Sequence, residues 1–121
     1  MRFLVVDDSA TMRRIIVNSL NRIGYADVVE ADEGQAALAR FREGGIDFVV
    51  TDWNMPTMSG IDFARAVRTT DTEVPILMVT TRSAREDIVA AVGVGVNNYV
   101  LKPFTPQVLK EKIDQVLQAA A

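Results

Sequence analysis

The sequence predicts an α/β fold: a single (βα)5 domain over residues 1–121, with a doubly wound, five-stranded parallel sheet. Three observations carry this. Short apolar runs alternate five times with longer stretches of helical period. Several of the runs are nearly unbroken Val, Ile, Leu and Phe, as strands buried on both faces are. The connections between runs and helices are short, which implies right-handed crossovers and helices on both sheet faces.

The first strand is predicted at Phe3–Val6. In the helix that follows, Met12, Ile15, Ile16, Leu20 and Ile23 form one face, with Arg13, Arg14, Asn18 and Asn21 towards water. Asp8 or Ser9 could cap it, and Gly24 is placed to end it. The second strand is expected at Val28–Glu30. Its helix covers about Glu33 to Arg42 and stops at Gly44-Gly45. The third strand is Phe48–Thr51, and its helix spans about Gly60 to Arg68. The polar loop Arg68–Pro75 leads to the fourth strand, Ile76–Thr80. The fourth helix is expected from about Ser83 to Val92, ending near Gly93 and Gly95. The fifth strand is Tyr99–Leu101. Thr105 is a fitting N-cap for the last helix and Pro106 a fitting first residue. That helix should bury Leu109, Ile113, Val116 and Leu117, and the tail Ala119–Ala121 should fray.

Composition removes several kinds of chemistry. The chain has no cysteine and no histidine, so disulfides, thiolate nucleophiles and Ser-His catalysis are out. A net charge of −3 and a pI near 4.9 argue against nucleic-acid binding. No apolar run approaches the ~20 residues of a membrane span. The opening "MRFLVVDD" reads as a core strand rather than a signal peptide, so a cytoplasmic protein is expected.

What remains gathers at one edge. Ligands of open parallel sheets sit beyond the carboxyl ends of the strands. Asp7 and Asp8 follow the first strand, Asp52 the third and Lys102 the fifth, while Thr80 ends the fourth. Clustered carboxylates repel one another unless a cation joins them. An all-oxygen set suits Mg²⁺, which keeps waters and accepts phosphate oxygens. Metal, lysine and hydroxyl together are what phosphoryl transfer needs, with a carboxylate as the available nucleophile.

"VVDDSATMRR", "TDWNMP" with "SGID" close behind, "PILMVTT" and "NNYVLKPF" stand in the order and spacing of the receiver domains of two-component response regulators. The chain resembles that family over essentially its whole length, and within it the single-domain chemotaxis regulators. The resemblance implies a flavodoxin-like strand order, 2-1-3-4-5. It implies that Asp52 is the phosphoacceptor. It implies that Asp7 and Asp8, with Asp52 and the backbone carbonyl of Asn54, bind Mg²⁺. Lys102 would pair with the phosphoryl group, Thr80 would hydrogen-bond it and Tyr99 would move with Thr80. The surface of the fourth helix, fifth strand and fifth helix would then change to bind a partner. A cis peptide is expected at Lys102-Pro103. The resemblance places Asn54 and Arg82 at positions that would tune dephosphorylation; many members of that family have Glu where this chain has Arg82. The implied partners are a sensor histidine kinase and an output protein such as the flagellar motor switch. Nucleic acid and membrane are not implied partners, and a monomer is expected. On this reading the chain is a signalling switch rather than an enzyme, acting only on its own Asp52.

Plainer readings exist for each residue. An Asp after a strand is often a turn or cap residue, Lys102 alone would be a surface lysine, and Tyr99 a half-buried aromatic. Arg13-Arg14 and Arg82/Arg85 would be solvated faces. Other functions would leave different signatures. The chain could be a stand-alone phosphorelay intermediate or a phosphate sink. A haloacid-dehalogenase-like phosphatase would have D-x-D-x-T after its first strand, where this chain has adjacent Asp7-Asp8. A flavodoxin-like nucleotide binder needs a Ser/Thr/Gly-rich first loop, and this one is acidic.

Overall fold

The computed structural model describes residues 1–120. Strands and helices alternate: β1 (Phe3–Val6), α1 (Ala10–Arg22), β2 (Val28–Ala31), α2 (Gly34–Arg42), β3 (Phe48–Thr51), α3 (Gly60–Arg68), β4 (Ile76–Thr80), α4 (Arg85–Gly93), β5 (Asn98–Leu101) and α5 (Pro106–Ala120). All strand pairs are parallel and the order is β2-β1-β3-β4-β5. The predicted fold and strand order are therefore both present.

Alternation along the buried strands splits the core into two layers. Phe3, Val5, Phe48, Val50, Leu77 and Val79 meet Ile16 and Leu20 of α1 and Leu109, Ile113 and Val116 of α5. Leu4, Val6, Val49, Ile76 and Met78 meet Ala37 and Leu38 of α2, Phe63, Ala64 and Val67 of α3, and Ala91 of α4. β1, β3 and β4 are buried along their whole length, which is why they read as continuous apolar runs.

Helix starts follow local hydrogen-bond chemistry. Ser9, not Asp8, caps α1, its Oγ accepting from the Met12 N–H at 3.2 Å. Glu33 is the cap of α2 rather than its first residue, its carboxylate accepting from the Gln35 and Ala36 N–H groups. Thr105 caps α5 through the Val108 N–H at 3.1 Å.

Several expectations need correction. α4 begins at Arg85, not Ser83; Ala84 occupies the cap position and no side chain caps the helix. It buries only Ala91 and leaves Val89 62% and Val92 58% exposed, so it lacks the apolar face of the other helices. Ile15 was placed on the buried face of α1 but is 44% exposed. β2 and β5 each extend by one residue, to Ala31 and from Asn98. α5 continues through Ala120, past the point where the tail was expected to fray, and Ala121 lies outside the described residues.

Candidate functional site

Register brings the acidic residues together. Val6 at the end of β1 pairs with Thr51 at the end of β3. Asp7 and Asp52 are the next residues on these neighbouring strands, so the two carboxylates leave the sheet level with each other. Both are almost wholly buried, Asp7 being 1% exposed. Asp8, one residue further on, is exposed. One carboxylate oxygen from each of Asp7, Asp8 and Asp52 lies within 4.8 Å of the others. This anionic, all-oxygen donor set, with one member open to solvent, fits a small hard divalent cation.

Lys102 closes the cluster. Its ammonium donates to Asp7 Oδ2 at 2.7 Å and to Asp52 Oδ2 at 3.0 Å, with its side chain 11% exposed. Burial disfavours the lysine charge, but the hydrogen bonds and charges of Asp7 and Asp52 outweigh it, so its pKa is raised. The second oxygens are also held. Asp7 Oδ1 accepts from the Ser9 N–H at 2.9 Å and Asp52 Oδ1 from the Trp53 N–H at 2.6 Å. The Lys102-Pro103 peptide is cis, as expected.

The loop after Asp52 is packed against α3. The Gly60 N–H donates to the Trp53 carbonyl at 2.8 Å. A Cβ on Gly60 would sit 1.8 Å from the Asp52 carbonyl oxygen, so only glycine allows this approach. The "SG" of "SGID" therefore has a physical reason: Ser59 caps α3 and Gly60 lets the helix start against the backbone of Asp52.

Thr80 and Tyr99 meet at Arg82. Thr80 is fully buried, and its Oγ1 accepts from the Arg82 N–H at 3.3 Å. The Tyr99 hydroxyl donates to the Arg82 carbonyl at 2.8 Å. The pKa of Tyr99 is raised, first by burial and then by the charges of Asp87 and Asp52, against the opposing charge of Arg82. The Arg82 side chain is not a free solvated group. Its Nε and Nη2 donate to Asn54 Oδ1 at 3.1 and 3.0 Å, and Nη1 lies 3.4 Å from Asp87 of α4. The guanidinium stands over the Trp53 ring at 4.7 Å. Asn54 and Arg82 are thus hydrogen-bonded to each other across the rim.

Sequence reasoning missed Arg13. Placed on the water side of α1, it instead donates from Nη1 to the Asp7 carbonyl at 2.6 Å and from Nε to Glu30 at 3.3 Å. Its neighbour Arg14 is exposed as expected. No helical pattern reports a side chain that folds back onto its own helix's incoming loop.

The sequence pattern of the response regulator receiver domain matches residues 3–114. The chain belongs to that family. This receiver is 52% identical over 120 residues to the Chemotaxis protein CheY of Pseudomonas aeruginosa, covering 98% of this chain and 97% of that protein. It is 50% identical over 120 residues to the Chemotaxis protein CheY1 of Helicobacter pylori, covering 97% of each. Among solved structures, the chemotaxis protein CheY4 of Vibrio cholerae superposes with a TM-score of 0.89 at 35% identity, over 95% of this chain and 97% of that one. A CheY-like receiver domain from Methanospirillum hungatei gives 0.90 at 26% identity, over 98% and 94%. The receiver family is a signalling family. No helix among the described residues is long and apolar enough to cross a membrane.

Proposed function

We propose that this receiver is a phosphorylation-driven switch whose acceptor is Asp52. The observation that carries the reading is the Lys102 ammonium, shared between Asp7 and Asp52 where β1 and β3 end level, with Asp8 beside them. A histidine kinase would be the donor. An Asp52 carboxylate oxygen forms a bond to phosphorus as the donor's phosphorus–nitrogen bond breaks, and that bond's electron pair leaves with the donor nitrogen. Asp7, Asp8, Asp52 and the Asn54 backbone carbonyl would hold Mg²⁺, which supplies charge neutralisation at the phosphoryl oxygens.

The chain's own residues do the rest. The Trp53 N–H and Lys102 orient the Asp52 carboxylate before transfer. Formation of the acyl phosphate removes one carboxylate charge from Lys102 and presents it with a dianion instead, so the ammonium turns to a phosphoryl oxygen. The Thr80 hydroxyl is drawn to another phosphoryl oxygen and gives up the Arg82 N–H. Because the Arg82 carbonyl also holds the Tyr99 hydroxyl, that movement reaches the ring of Tyr99 and the face made by α4, β5 and α5. Val89, Val92, Leu101 and Val108 are exposed apolar residues of these three elements, suited to a partner.

The names of the relatives support chemotaxis as the setting. We therefore read residues 1–121 as one cytoplasmic, monomeric receiver that hands its signal to an output protein such as the flagellar motor switch. The same site would serve a phosphorelay intermediate or phosphate sink, and the partner separates these readings. Addition of beryllium fluoride with Mg²⁺, a phosphoryl mimic, should shift backbone amide resonances across α4, β5 and α5. In Thr80→Ala the site resonances should respond while those of α4 and β5 respond weakly. Full response of both regions in Thr80→Ala would refute this route.

A further inference from the structure

Asp8 is the exposed member of the acidic cluster, and its direction depends on the peptide that precedes it. That peptide carries the Asp7 carbonyl and the Asp8 N–H in one rigid plane. Arg13 grips its carbonyl at 2.6 Å. The remaining polar groups of Asp7 are tied elsewhere. Its N–H goes to the Ala31 carbonyl at 3.2 Å, and its carboxylate goes to the Ser9 N–H and Lys102. Without Arg13, the Asp7–Asp8 peptide would lose the one side chain, among the described residues, that hydrogen-bonds it and fixes its tilt.

Glu30 completes the arrangement. It lies 3.3 Å from Arg13 Nε, so one end of the guanidinium is anchored on β2 while the other holds the acidic turn. The Arg13 side chain is 19% exposed, well covered for a residue on the predicted water side of α1. Glu30 also offsets the Arg13 charge, which would otherwise oppose a cation at the neighbouring carboxylates.

We propose that Arg13 is a positioning residue for the cation site: it sets the Asp7–Asp8 peptide so that the Asp8 carboxylate points into the cluster, with Glu30 orienting Arg13. This rests on the reading of Asp7, Asp8 and Asp52 as a Mg²⁺ site. Two effects compete in sign. Removing a positive charge near the acids favours cation binding by simple electrostatics. Loosening the support of a metal-binding carboxylate weakens it, by about 10- to 100-fold in metal sites whose outer supports are removed. The charge effect is muted because Glu30 already pairs with Arg13, so the positioning effect should win.

The test is a Mg²⁺ titration read by Trp53 fluorescence and by calorimetry, on the parent, Arg13→Ala, Arg13→Lys and Glu30→Gln, with urea unfolding of each. Arg13→Ala should bind Mg²⁺ about tenfold more weakly. Arg13→Lys should recover part of the loss, because one ammonium can reach the carbonyl or Glu30 but not hold both. Glu30→Gln should fall between the parent and Arg13→Ala. Equal or tighter binding by Arg13→Ala overturns the proposal, including the case where only its urea midpoint falls. Should Arg13→Ala fail to fold, Arg13→Gln carries the same comparison, since its amide is too short to grip the carbonyl. A parent that binds no Mg²⁺ in either measurement would refute the metal-site reading itself, and so is distinguishable from a failure of Arg13.

Discussion

Replacing Gly60 with alanine sets helix propensity against the approach of α3 to the Asp52 backbone. In an ordinary helix the exchange stabilises by roughly 0.5–1 kcal/mol. Here the new Cβ would lie 1.8 Å from the Asp52 carbonyl oxygen and 3.0 Å from the Trp53 Cα. Both neighbours are backbone, so no rotamer change relieves the contact. Either the first turn of α3 or the end of β3 must move by more than 1 Å. Overpacking of this kind costs about 1–3 kcal/mol, and the lost Gly60–Trp53 hydrogen bond adds about 1 kcal/mol. The net expectation is a loss of about 1–3 kcal/mol. The function should suffer more than the fold, because the displaced group is the backbone of Asp52 itself, and a misplacement of ~1 Å can slow a reaction about 100-fold. Urea unfolding followed by circular dichroism reads the first quantity. The rate of phosphorylation by acetyl phosphate under conditions where the variant is folded reads the second. A Gly60→Ala protein as stable as the parent, or more so, with an unchanged phosphorylation rate would refute the reasoning.

Two further outcomes follow from the site's geometry. Arg82 spans the rim between Asn54, Asp87 and the Trp53 ring. If from there it restricts water approaching a phosphoryl group on Asp52, Arg82→Ala should lose phosphate several-fold faster, an effect of ~1 kcal/mol; equal or slower loss, timed at saturating Mg²⁺, would contradict this. The second concerns alkaline pH. Lys102 and Tyr99 both have raised pKa values in the folded protein, Lys102 because its carboxylate partners outweigh burial and Tyr99 chiefly because of burial. The folded state therefore holds these protons more tightly than the unfolded chain does. Their contribution is fully present below about pH 10, near the unfolded values, and is lost as pH rises through the folded ones. Urea midpoints should stay level from pH 8 to about 10 and fall above it, and a rise above pH 10 would contradict the assignment.

How much of this was legible depended on whether the signal was local in sequence. The strands β1, β3 and β4 announce themselves because both their faces are buried, leaving no polar interruption to blur the ends. The acidic cluster was legible because a parallel sheet puts every strand's carboxyl end at one edge, so Asp7, Asp52, Thr80 and Lys102 had to converge. The start of α4 lies two residues beyond the expected Ser83 because the helix begins at Arg85 with Ala84 at the cap position, and no side-chain cap marks it in the sequence. Ile15 departs from the helical pattern because period assigns a face but not how much of that face its neighbours cover. Arg13 reads in the sequence as a surface charge, and Arg82 as either a solvated face or a tuning position, with no partner indicated for either. Their roles come from long side chains crossing between elements, to Asp7 and Glu30 in one case and to Asn54 and Asp87 in the other. Such reach leaves no periodic trace. The reason for Gly60 was equally hidden, since it lies in a distance between backbones.

The central claim is that Asp52, held by Lys102 at the end of β3, takes the phosphoryl group. It is tested most directly by incubating the parent and Asp52→Asn with acetyl phosphate and Mg²⁺, trapping the acyl phosphate by borohydride reduction, and mapping the reduced residue by peptide mass spectrometry. The parent should gain one phosphoryl group, with the reduced residue at position 52, and Asp52→Asn should gain none. Labelling that persists in Asp52→Asn, or that maps in the parent to Asp7 or Asp8, would contradict the account.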